Sequence, residues 1–266
     1  MTSNFLETLT CRYHAYVDIF RDGSGVLPQL HQLKWDHTRH VVEDACRIMS
    51  GEGWPRTESL EGEACALLHD VGRYSQLKEF GTFRDAESID HAVRGVEVIE
   101  AERLLEGFRG ETCKRVLTAV AVHNKKEVPA ALDDATARLA YLVRDADKLD
   151  IFRVLETVIA DGSLESNPEI AWGLQVKGAP TPEVVASVRV GRPVDYGMVR
   201  NLSDFVLIQV GWLIGGFRYA TSMRLAAERK ALEFREGFLK SLSDDPGVDV
   251  CCEAARAYAA RQAGAG

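Results

Sequence analysis

Four histidines and two aspartates of this chain stand where chemistry could be done with them. His37 lies early in "WDHTRHVVEDA", His69 and Asp70 end the apolar run in "ALLHDVGRY", His91 opens "HAVRGVEVI", His123 closes "VLTAVAVHNKK", and Asp147 sits in "YLVRDADKLDIF". His69 and Asp70 occupy positions where a buried helix would hold Leu or Ala, and burying two such groups is costly unless something satisfies them. A divalent ion would do so, since it neutralises a carboxylate and accepts an imidazole lone pair. Imidazole nitrogen with carboxylate oxygen suits Fe, Mn, Zn and related ions, whereas an all-oxygen site suits Mg or Ca. Consecutive helical residues diverge by ~100°, so His69 and Asp70 can meet one ion from a helix end, or Asp70 can span two. Taken singly, each His also reads as a hydrogen-bonded core residue, and the His-Asp pair as a C-terminal His beside a surface carboxylate.

The elements that must carry these residues are helical. Apolar residues recur at helical spacing over 35–49, and Gly51, Gly53 and Pro55 end that pattern. Further helices are predicted over about 60–70, 88–105, 114–123 and 136–159. A stretch rich in Gly, Pro and Ser, 161–182, is read as an excursion, followed by helices over 181–190 and a long helical segment over 199–242. Neither G-x-G-x-x-G nor G-x-x-x-x-G-K-[ST] occurs, so a nucleotide-binding α/β fold has no support. The expectation is an all-α bundle in a single domain, 1–266, with its metal-site core at about 30–160 and a C-terminal helical extension at about 181–260.

With 266 residues, 46% of them hydrophobic, the chain can close a substantial core. A net charge of -8 argues against a broad basic surface for nucleic acid, while a local basic pocket could still hold one phosphate. The six cysteines (Cys11, Cys46, Cys65, Cys113, Cys251 and Cys252) show no C-x-x-C spacing and are read as reduced thiols in a cytoplasm. No export signal is visible at the start. The apolar stretch 205–217 is short and is followed by Arg218, so it is read as a buried helix and no membrane partner is expected.

As a set, His37, His69 with Asp70, and Asp147 make an H…HD…D pattern that resembles the HD-domain superfamily of metal-dependent phosphohydrolases. The local contexts "HTRHV", "ALLHDVGR" and "RDADKLD" agree, and the resemblance covers at least 34–152. The tail, with "DYGMVRNLSDFVLIQVGWL", looks like the C-terminal half of one group of bacterial HD proteins. His40 competes with His37 for the first position; the resemblance favours His37, because the family places Val four residues after its ligand, as Val41 is here. Asp147 matches the family's final ligand better than Asp145 or Asp150. In two-metal members of the superfamily further His residues complete a second ion and the Asp of the pair bridges. The resemblance therefore implies one ion on His37, His69, Asp70 and Asp147 and another on Asp70, His91 and His123. Fe or Mn is expected, with Mg, Zn, Ni and Co as alternatives. The Gly-Tyr-Pro signature of the cyclic-dinucleotide phosphodiesterase branch is absent.

Two dications ~3.5–4 Å apart activate a water and hold charge developing on a phosphoryl oxygen, so the expected substrate is a small phosphate mono- or diester, a nucleotide among the candidates. Asp70 is then the shared catalytic carboxylate, and Lys125, Arg73 and Lys148 are the candidate phosphate cations, Lys125 foremost. Lys126 reads as a surface charge, Arg73 and Arg144 equally well as salt-bridge partners, and Lys148 equally well as exposed. Asp90 either orients His91 or caps a helix N-terminus. Residues 72–84 are expected to line or cover the pocket. Myo-inositol oxygenase and related diiron oxygenases share this ligand set, so ligands alone do not separate oxygenation from hydrolysis; hydrolysis is favoured because most of the superfamily performs it. A third reading is a catalytically silent nucleotide-binding regulator. The C-terminal helices could support an oligomer.

Overall fold

The computed structural model of the protein describes residues 3–164, 169–170 and 173–264. Among them there are α-helices, two short 3₁₀ turns and two isolated bridges, but no strand, so the all-α expectation holds. The chain divides into two compact units, 1–150 and 151–266.

The first unit contains α1 (Ser3–Asp18), α2 (Gln29–Gly51), α3 (Arg56–Leu68), α4 (Gly72–Phe80), α5 (His91–Ala101), α6 (Gly110–Val122) and the start of α7 (Asp134–Ala160). Val41, Ala45 and Ile48 recur at one-turn intervals on α2 and are fully buried. That stripe lets α2 pack on α3, which in turn packs on α6. Ala64, Cys65 and Leu68 of α3, Val116, Ala119 and Val120 of α6, and Leu142, Val143, Ala146 and Leu149 of α7 complete the buried set. Pro28 and Pro55 stand immediately before α2 and α3, where a missing N–H is no loss.

Residues 72–84 contain a helix of their own, α4 (Gly72–Phe80), closed by Gly81 in the left-handed region at φ 69°. The predicted 88–105 helix is shorter at both ends, starting after Asp90 and stopping at Ala101. Asp90 ends it on the N-terminal side by accepting from the backbone N–H groups of Ala92 and Val93.

The second unit contains α8 (Pro182–Val188), α9 (Leu202–Trp212), α10 (Ala220–Glu228), α11 (Ala231–Leu242) and α12 (Pro246–Gly264). The predicted helical segment over 199–242 consists of three helices. Gly215 at φ 82° and Lys230 at φ 54° take left-handed backbone conformations in the two connections, which a continuous right-handed helix excludes. Every residue from Leu202 to Val210 is buried, which is why α9 shows no amphipathic period. The 161–182 excursion ends where the carboxylate of Asp204 accepts from Thr181 N (2.6 Å), Thr181 Oγ1 (2.7 Å) and Arg200 N (2.8 Å); its residues 165–168 and 171–172 lie outside the described ones. Buried Arg235 donates to Gln209 Oε1 (2.9 Å) and Glu156 Oε1 (2.8 Å). No helix among the described residues is long and apolar enough to cross a membrane, and all six cysteines are free thiols.

Candidate metal centre

Helix ends, more than helix faces, bring the polar residues of the first unit together. α3 stops at Leu68, yet His69 (φ -53°, ψ -43°) and Val71 (φ -59°, ψ -29°) keep right-handed backbone, so the His-Asp pair sits on a tight corner before α4. At that corner consecutive side chains can turn to one side, which a continuing helix forbids. Gly72 makes the corner workable: a Cβ there would lie 2.3 Å from the His91 carbonyl oxygen and 2.5 Å from Gly95 N. The start of α4 is thus pressed against α5, whose first residue, His91, is carried to Asp70. His123 directly follows α6, while His37 and Asp147 project from within α2 and α7.

The result is two clusters that share one carboxylate. On one side His37 Nε2 lies 3.2 Å from His69 Nε2 and 3.2 Å from Asp147 Oδ1. Asp70 Oδ2 is 3.5 Å from His37 Nε2 and 3.6 Å from His69 Nε2. On the other side His91 Nε2 and His123 Nε2 are 3.1 Å apart. Asp70 Oδ1 faces them at 3.4 and 3.7 Å. Each oxygen of Asp70 therefore faces its own imidazole pair. The four imidazoles and Asp70 are buried, whereas the Asp147 side chain is 25% exposed and marks a side open to solvent.

The opposite ring nitrogens are all engaged. His69 Nδ1 meets the Ala66 carbonyl at 2.8 Å and His123 Nδ1 the Val120 carbonyl at 2.7 Å. A carbonyl only accepts, so both rings carry a proton on Nδ1 and turn Nε2 inward. His37 Nδ1 lies 2.6 Å from Asp150 Oδ2 and His91 Nδ1 2.6 Å from Asp85 Oδ2. Carboxylate–imidazole contacts of this kind fix ring orientation and raise ligand basicity at metal sites.

Electrostatics follows burial. Burial pulls His69 down to about 4, and burial together with the Arg73 guanidinium does the same to His91. Both are neutral at pH 7, and His91 Nε2 stands 3.1 Å from His123 Nε2, a close pairing of donor nitrogens that a cation between them would satisfy. His37 moves the other way, to about 9: burial and Lys34 lower it but are outweighed by the carboxylates of Asp147 and Asp150. Burial would raise Asp70, yet Lys34 and then His69 hold it well below the usual carboxylate range. Inward Nε2 atoms around a shared, ionised carboxylate make a donor set that suits a divalent transition ion on each side, provided His37 gives up its proton as the ion binds.

His37 is in the cluster and His40 is outside it, with Nδ1 3.2 Å from the far oxygen of Asp150. Asp147 faces the cluster, and Asp150 serves as the acceptor for His37. Asp90 does not orient His91; it caps α5 and pairs with Lys125, while Asp85, which sequence reasoning missed, takes that position. Asp85 lies in a 3₁₀ turn, where no periodicity draws attention to it. Arg73 Nη1 donates to Asp85 Oδ1 (2.8 Å), Gln76 Oε1 (2.8 Å) and the Phe83 carbonyl (2.5 Å), so its guanidinium braces Asp85. Arg144 Nη1 and Nη2 hold carbonyls just beyond α6, those of His123 (2.8 Å) and Lys126 (3.1 Å). Lys148 is half-buried beside Asp147, and burial draws its ammonium down to about 8. Lys34 was also missed, although it precedes His37 by three residues and so shares its helix face.

Residues 35–151 match the HD domain family. Among solved structures, that of a "predicted HD superfamily hydrolase" from an uncultured Thermotogales bacterium is similar at 19% identity and a TM-score of 0.41, over 90% of this chain and 92% of that one. No curated protein matches.

Proposed function

We propose that this chain, whose residues 35–151 match the HD domain family, is a two-metal phosphohydrolase acting on a small phosphate mono- or diester. The observation that carries the reading is the shared carboxylate: Asp70 turns one oxygen to His37 and His69 and the other to His91 and His123. His37, His69, Asp70 and Asp147 would hold one ion, and Asp70, His91 and His123 the other. When bound, such a pair supplies Lewis acidity and an activated water.

The chain's own residues supply the rest. Asp150, Asp85 and the carbonyls of Ala66 and Val120 hold the four rings with Nε2 inward, so no reorganisation is needed when charge develops. Asp147, whose side chain is 25% exposed, is the side from which an ester would approach. Lys125, 42% exposed and paired with Asp90, the residue before His91, is the first candidate to hold a bound anion's distal oxygens.

Hydrolysis needs no redox-active metal and no dioxygen. Protein reconstituted with Mn and assayed under strict anaerobiosis against phosphomonoesters, phosphodiesters and nucleotides is expected to release phosphate or split a diester, with the new oxygen coming from labelled water. Turnover confined to iron, with dioxygen consumed and its label in the product, would replace this reading with oxygenation.

A further inference from the structure

Lys34 brings an ammonium directly to the shared carboxylate of this centre. Its ammonium lies 2.7 Å from Asp70 Oδ2, the oxygen that also faces His37 and His69. Arg73 approaches the other oxygen, Nε to Oδ1 at 3.5 Å, but its Nη1 is bound to Gln76, Phe83 and Asp85. Among the described residues Asp70 is the hydrogen-bond partner of Lys34, and the Phe83 ring, 5.0 Å away, is its other neighbour. The side chain is 16% exposed, on a four-carbon stem that can pivot. An ammonium and a dication cannot both sit against one carboxylate oxygen without strong mutual repulsion. A displaced Lys34, still anchored on α2 one turn before His37, can move only a few ångströms, into the space next to the centre.

We propose that Lys34 is a displaceable cation. It neutralises Asp70 Oδ2 while the His37 side is empty of metal, and on metal loading it turns outward to hold an anionic oxygen of the substrate. The protein thereby avoids an uncompensated buried carboxylate in the metal-free state and gains a substrate contact in the loaded one. The competition half stands on the geometry alone; the anion half rests on the phosphohydrolase reading.

The test uses the full chain and two binding measurements. Calorimetric titration of the metal-free protein with Mn is expected to show about tenfold tighter binding at one site in Lys34→Met, because the competing charge is gone while the stem remains. Titration of the Mn-loaded protein with inorganic phosphate is expected to show about tenfold weaker binding in the same variant, with Lys34→Arg restoring part of it. Lys126→Met, which alters an exposed charge, should change neither. Mn binding to Lys34→Met that is equal to or weaker than wild type overturns the competition half, and equal phosphate binding overturns the anion half. If the loaded wild type binds no phosphate at all, the anion half and the phosphohydrolase reading fall together, and the Mn titration alone judges the competition half. Should Lys34→Met fail to fold by circular dichroism, Lys34→Gln takes its place with the same outcomes.

Discussion

The two sides of the centre are built to one plan and finished differently. Each combines a His that directly follows a helix, held by the carbonyl three residues back, with a His held by a carboxylate: His69 and His37 on one side, His123 and His91 on the other. The Nε2 atoms of the pairs are 3.2 and 3.1 Å apart. The His37 side adds Asp147, from the interior of the long helix α7, and takes its supporting carboxylate, Asp150, from the same helix. Among the described residues the His91 side has no donor beyond His91, His123 and Asp70, and its supporting carboxylate, Asp85, comes from a 3₁₀ turn held by Arg73, Gln76 and Asn124. More donors on more rigid elements should bind more tightly, so the His37 side is the stronger site and the His91 side the one that decides whether the centre is binuclear.

The sharpest way to break this comparison is to remove what the sides share. Asp70→Ala is expected to lower kcat/KM by ~10³-fold or more and to abolish the metal-dependent part of the thermal stability, since both sites lose a charged donor. Calorimetry of wild type and variant with and without chelator checks it. A chelator effect of the same size in Asp70→Ala would mean that the two sides do not meet at this carboxylate.

A smaller effect separates them. Asp150→Asn and Asp85→Asn each leave the donors in place but weaken the hold on one ring, a change worth ~10–100-fold in metal affinity. Elemental analysis after dialysis should find about one ion per chain in Asp85→Asn. Asp150→Asn should retain more metal, because Asp147 still completes its side. Equal losses would make the two sides equivalent.

The smallest effect is on the metal-free protein. His69 and His91, at about 4 when folded against an ordinary 6.5, bind fewer protons than in the unfolded chain, so their contribution to stability falls as pH drops from 6.5 towards 4. His37, at about 9, contributes stability that is complete below 6.5 and is lost as pH rises through 9. The metal-free melting temperature should therefore peak between these limits, and Asp150→Asn should flatten its alkaline limb. A melting temperature that does not vary with pH would show that these rings are not buried as described.

How much of this was legible beforehand differs residue by residue. His69 and Asp70 stood out because costly polar groups end an apolar helical run, whereas His37 over His40, Asp147 over Asp145 and Asp150, and the ligand roles of His91 and His123 came from the resemblance to the HD superfamily. The helices around them followed from helical periodicity, except where α9 is buried on every side. Asp85 and Lys34 were not legible: a carboxylate in a turn and a lysine on a helix are common in any chain, and only their neighbours distinguish them.

The sequence by itself therefore determined that this chain is helical and that the buried His-Asp pair at 69–70 requires a partner, because residue type and spacing along the chain carry both facts. Which oxygen of Asp70 faces which imidazole pair, which carboxylate holds His91, and that Lys34 meets Asp70 across 36 positions were decided by the tertiary structure. Those are contacts between separate helices and a turn, and they depend on the corner at His69 to Val71 and on the close approach at Gly72, geometry that has no local periodic signature.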